Sequence, residues 1–107
     1  MAVDIERFKE LSTMLFMCDN VRLTLTERRM MLMLLSRAPE PVPWADLAAS
    51  WPQGRKPNAA AVRKMVSALR RTMRPHTVHI DHAGEGRYFI AAQSAGRAIK
   101  AIAGEAS

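Results

Sequence analysis

The chain has 107 residues, a single cysteine and a formal net charge of +6, with 49% hydrophobic and 24% charged residues. That length suits one domain with a modest core, and one cysteine excludes an internal disulfide and a thiolate metal cluster. No apolar run nears the roughly 20 residues of a membrane span, and the mixed charges of residues 1–7 do not make a signal peptide, so the expectation is a soluble cytoplasmic protein without a membrane partner.

Val3, Ile5, Phe8, Leu11 and Leu15 recur at helical spacing among charged residues, which predicts an amphipathic helix over 3–16. Asp19-Asn20 between two short apolar runs reads as a turn, and a short hairpin over 15–23 is expected there. Thr24-Leu25-Thr26-Glu27 has the form of a capping box, in which each end of the first turn satisfies a donor of the other. It starts a helix over Leu25–Arg37, with Met30, Met31, Leu34 and Leu35 as core. Three prolines in residues 39–43 read as a connector. Trp44–Ser50 reads as a short helix with Leu47 inward, and residues 51–57 as a loop. A long helix follows, capped by Asn58 or a residue beside it and ended by Pro75. Val62, Val66, Leu69 and Met73 form its narrow apolar stripe. Thr77–Asp81 alternates like a strand, His82–Gly86 is a turn, and Arg87–Ala91 returns as a second strand. A last short helix is expected over 94–103.

The charge is unevenly placed. Residues 1–46 hold six basic and seven acidic side chains, and residues 81–107 hold three of each. Residues 47–80 hold seven basic side chains and no acid, so the whole excess lies there. A solvated basic surface is one reading of such a window. An anionic partner is the other, and the complete lack of acids favours it. The element order is that of an α+β winged helix-turn-helix: a three-helix core with a C-terminal β-hairpin wing, preceded by the N-terminal helix and hairpin. The units expected are 1–22 as extension, 23–92 as DNA-binding domain and 93–107 as tail. In such a fold a helix over about 58–74 enters the major groove, which is about 12 Å wide, and a wing over about 77–91 lies near the minor groove.

Three motifs carry a resemblance. They are Leu23-Thr24-Leu25-Thr26-Glu27, Val66-Ser67-Ala68-Leu69-Arg70-Arg71 and Gly84-Glu85-Gly86-Arg87-Tyr88-Phe89. Over Leu23–Phe89 the chain resembles the OmpR/PhoB-type effector domains of bacterial response regulators. The first motif matches that family's opening helix and the second the end of its recognition helix. The third matches its wing, with the Tyr and Arg exchanged. Family members usually carry a receiver domain, and 107 residues leave no room for one, so a stand-alone regulator of transcription is expected. Pro43 stands where the family often has Ser or Thr. Arg63 and Lys64 replace residues that are commonly acidic and apolar.

The resemblance implies double-stranded DNA as partner. It places Arg63, Lys64, Ser67 and Arg71 nearest bases or groove-lining phosphates. Arg70 and Arg74 become backbone contacts, with Asn58 at a phosphate and Arg87 at the minor groove. Arg55 and Lys56 fall in the connector that family members use against DNA or RNA polymerase. Arg70 has an alternative as an ion pair with Glu27, and Arg87 as a solvated wing residue. A second function, that of a protein-interaction adaptor on RNA polymerase or another regulator, stays open. The Val3–Leu15 stripe is then a docking or homodimer surface, or else packs on its own domain. His79, Asp81 and His82 lack a fourth ligand for a metal. Ser67 lacks a base and an oxyanion motif. No catalysis, metal or cofactor is expected.

Overall fold

The computed structural model describes residues 5–51 and 57–104. It is an α+β arrangement in which five α-helices surround a small three-stranded antiparallel sheet, among the described residues. The helices are α1 (Ile5–Phe16), α2 (Leu25–Arg37), α3 (Trp44–Ala48), α4 (Ala59–Met73) and α5 (Ala92–Ala103). The strands are β1 (Val42–Pro43), β2 (Asp81–His82) and β3 (Arg87–Phe89).

Helix α1 turns Leu11 and Leu15 into the core, while Ile5 (67% exposed) and Phe8 (38% exposed) stay at the surface. The expected apolar stripe is therefore split between core and solvent, and Val3 lies outside the described residues. The hairpin expected over 15–23 does not form. Helix α1 continues to Phe16, and residues 17–24 are turn and irregular backbone. One side chain explains this. The Arg28 guanidinium, half-buried in α2, donates to the carbonyls of Leu15, Cys18 (3.1 Å) and Leu23 (3.2 Å). Those carbonyls accept from one cation rather than from backbone N–H groups of a facing strand.

The capping box forms as the residues require. Thr24 Oγ1 accepts from the Glu27 amide at 3.1 Å, and Glu27 Oε1 accepts from the Thr24 amide at 2.9 Å. Helix α2 then buries Met30, Met31, Leu34 and Leu35 completely. Its last turn carries Arg37, which pairs with Asp46 of α3 at 2.5 Å and so ties the two helices.

The proline-rich connector contains a strand that its composition hides. Val42 pairs with Tyr88, and Pro43 with Arg87. The sheet order is β1-β3-β2, so β1 is an edge strand, where a residue without an N–H is tolerated. The strand expected over 77–81 is shorter than expected and shifted along the chain. Helix α4 gives way to a 3-10 turn at Arg74–His76 around Pro75, and Thr77 then takes a left-handed conformation. Residues 78–80 run without ladder pairing, and Asp81 and His82 pair with Phe89 and Tyr88. His82 therefore belongs to a strand and not to the turn.

Helix α5 begins at Ala92, two residues before the expected start, and buries Ala95, Ala98 and Ile102. These join Leu11 and Leu15 of α1 in the same core cluster as the α2 and α4 stripes. Polar ties help hold α5 in place, among them two at its ends. The His79 amide donates to Ser94 Oγ at 3.3 Å, and Asn20 Nδ2 donates to the Ile102 carbonyl at 3.4 Å.

Candidate functional site

Helix α4 is built from the residues that its two faces need. Asn58 caps it, accepting from the Ala61 amide at 2.9 Å. Val62, Val66, Leu69 and Met73 are wholly buried, as their spacing predicts. Arg63, Lys64, Ser67 and Arg71 are all exposed on the opposite side. Arg63, Ser67 and Arg71 stand four residues apart and share one face, and Lys64 flanks them. Arg74, just past the helix, is exposed as well. These five side chains form one basic surface.

Besides the capping Asn58, Arg70 and Arg87 of the expected site residues are engaged within the fold. Arg70 is half-buried, and its Nε donates to the Ile80 carbonyl at 2.7 Å. It joins α4 to the segment leading into β2. It does not pair with Glu27, whose carboxylate is engaged at the α2 cap. Arg87 is exposed on β3 but folds back over its own turn, donating to the carbonyls of Gly84 (3.4 Å) and Ala83 (3.3 Å). Arg55 and Lys56 lie outside the described residues.

The β2–β3 hairpin is fastened beside α4. The Trp44 amide, at the start of α3, donates to the Gly86 carbonyl at 2.7 Å. Gly86 has φ +70°, and a β-carbon there would lie 2.6 Å from Trp44 Cδ1. Only glycine fits both the turn and the indole edge. The exchanged order of Arg87 and Tyr88 has a clear result: Tyr88 is buried and Arg87 faces out. Within the sheet, the Tyr88 and His82 rings lie with centroids 5.3 Å apart and are tilted by 48°.

Between the hairpin and the first turns of α4 runs a groove of about 530 Å³. Trp44, Tyr88 and His82 supply its aromatic surface. Ala59 and Ala60 keep its helical wall low, and Arg63, Arg70 and Glu85 supply its charge. Sequence reading singles out Arg63 and Arg70 but misses the other groove residues as a group. Nothing local in Pro43-Trp44 or Gly84-Glu85-Gly86 announces that they meet. The only available signal is the pair of glycines around Glu85, which marks a tight turn but not its neighbour.

Among the described residues, no three His, Cys, Asp or Glu side chains are placed to hold a metal ion. No helix among them is long and apolar enough to cross a membrane. Comparison with protein-family models, curated proteins and solved structures finds no match to this chain.

Proposed function

We propose that the chain is a winged helix-turn-helix protein that binds double-stranded DNA sequence-specifically, in transcriptional control within the bacterial cytoplasm. The observation that carries this reading is the α4 surface, where Arg63, Lys64, Ser67 and Arg71 are exposed opposite a fully buried stripe. A helix presented this way can enter the major groove, and its cations can displace counterions from phosphates. The order α2-β1-α3-α4-β2-β3 with sheet order β1-β3-β2 supports the winged-helix assignment. In this reading α3 and α4 are the helix-turn-helix pair and β2–β3 is the wing. Asn58 and Arg74 reach flanking phosphates. Arg70 acts indirectly by holding the wing. Arg87 reaches DNA only after leaving its turn carbonyls.

The test is an anisotropy titration against labelled genomic duplexes at two salt concentrations. Salt-dependent binding that selects among fragments is expected. No binding at low salt rejects the proposal. Unchanged affinity in both Arg71→Ala and Lys64→Ala rejects this choice of face.

A second reading is favoured by the outer side of α1, where Ile5, Phe8, Phe16 and the following Met17 are exposed apolar residues. An adaptor that docks RNA polymerase or a second copy of the chain would use them. A pull-down with RNA polymerase that survives loss of the Lys64 and Arg71 charges favours the adaptor. A dimer in light scattering that Phe8→Glu dissolves favours self-association.

A further inference from the structure

The groove beside α4 has a composition that a duplex does not need. Its volume of about 530 Å³ falls within the ~300–1,000 Å³ typical of clefts that hold small ligands. Its charges divide by sign. Arg63 and Arg70 stand on the α4 side, and Glu85 stands on the hairpin turn. Half-buried Trp44 and exposed His82 supply its accessible aromatic surface, with the buried Tyr88 ring set against His82. These surfaces are held in place. Trp44 is anchored through its backbone to Gly86, Tyr88 is buried in the core, and Arg70 is oriented by the Ile80 carbonyl.

We infer that this groove binds a free purine mononucleotide. The phosphate pairs with Arg63 and Arg70, since guanidinium groups match its oxygens. The base lies against Trp44 and His82, and its N–H edge donates to the Glu85 carboxylate. Each part of the groove discriminates. An inorganic phosphate leaves the aromatic surface unused and meets the repulsion of Glu85. A nucleoside leaves two guanidinium groups without an anion. Bases within a duplex offer their edges but keep their faces stacked, so they cannot cover the aromatic surface. Arg63 also belongs to the outward basic surface. The nucleotide and a duplex would then compete for it, and that competition alone rests on the proposed DNA binding.

The test is an NMR titration of the ¹⁵N-labelled full chain with guanosine 5′-monophosphate, with guanosine and inorganic phosphate as separate arms. Saturable shifts are expected at Ala59, Ala60, Arg63, His82, Glu85 and Gly86. The monophosphate should bind at least about tenfold more tightly than either fragment, and Arg63→Gln should weaken it about tenfold. Glu85→Gln should weaken the monophosphate but strengthen inorganic phosphate, a change of sign that mere loss of structure does not produce. Absence of saturable shifts overturns the inference. So does phosphate binding as tightly as the monophosphate, or an unchanged monophosphate affinity in Glu85→Gln. A duplex titration run alongside separates the two proposals. Nucleotide binding without duplex binding keeps the groove and removes the DNA reading, and the converse removes the groove alone.

Discussion

Two positions carry backbone conformations that their residues decide. Thr77 follows the 3-10 turn with φ 59° and ψ 36°, a left-handed geometry that a β-branched residue rarely adopts. That geometry costs a non-glycine residue roughly 1–2 kcal/mol, against about 0.5–1 kcal/mol for the extra freedom of glycine in the unfolded chain. The strain outweighs that freedom, so Thr77→Gly should stabilise the protein by about 0.5–1 kcal/mol in urea unfolding. The Arg97 bond to the Thr77 carbonyl at 3.3 Å is a backbone contact and survives the change. Gly86 is the reverse case. Its φ of +70° and the 2.6 Å approach of Trp44 Cδ1 both exclude a side chain. Gly86→Ala should cost about 2–3 kcal/mol, combining left-handed strain with overpacking. It should also disturb Trp44 fluorescence, because the indole must move. An unchanged midpoint and spectrum would show that the hairpin is not clasped to α3 as described.

At the scale of elements, α1 and α2 are joined by a cation as well as by apolar packing. Arg28 serves three carbonyls from the end of α1 to the start of α2. Replacing it with Met keeps much of the stem but removes the donors. A hydrogen bond to a charged group is worth about 1.5–3 kcal/mol, and partial exposure lets water recover some of the three. Arg28→Met should therefore lower stability by about 2 kcal/mol, with faster amide exchange over residues 17–24. Loss of exchange protection confined to α4 would contradict this. Helix α4 divides its tasks between faces. The buried stripe holds it to the core, and the cations Arg63, Lys64 and Arg71 face solvent. If those cations meet phosphates, Arg71→Ala should reduce the slope of log affinity against log salt by about one. It should leave the unfolding midpoint nearly unchanged, because Arg71 is exposed. Arg70→Ala should behave differently. It removes the bond to Ile80 and should loosen the hairpin and lower the unfolding midpoint, which Arg71→Ala does not.

At the scale of the molecule, α1 and α5 share the core cluster that α2, α4 and the sheet build. The radius of gyration of 12.9 Å matches the ~13 Å expected of one domain of this length. Unfolding should therefore be a single transition, with coincident midpoints by far-UV dichroism and tryptophan fluorescence. A separate early loss of helix signal would mean that α1 or α5 melts on its own.

The helices and strand β3 were legible from the chain, while β1 and the placement of β2 were not. Helix α2 is specified within four residues by Thr24 and Glu27 and then by apolar spacing. Helix α4 is bounded by the Asn58 cap and Pro75. Such signals act between residues three or four apart, so the sequence carries them whole. The buried stripe at Val62, Val66, Leu69 and Met73 and the placement of all excess charge in residues 47–80 are of this kind. Strand β1 is only two residues long, one of them proline, and exists because β3 lies beside it. The loop over 17–24 looks like a hairpin until Arg28 takes its carbonyls. The basic surface of Arg63, Lys64, Ser67 and Arg71 could be read from spacing, since a helix converts spacing into a face. The groove could not, because Trp44, Glu85 and Tyr88 meet Arg63 and Arg70 only when the hairpin docks on α3. The sequence by itself determined a basic helix with a defined outer face. Only tertiary structure decided that Arg70 braces the hairpin, and that the cations of α4 border an aromatic groove. Contacts across tens of residues depend on how elements pack, and no local pattern records them.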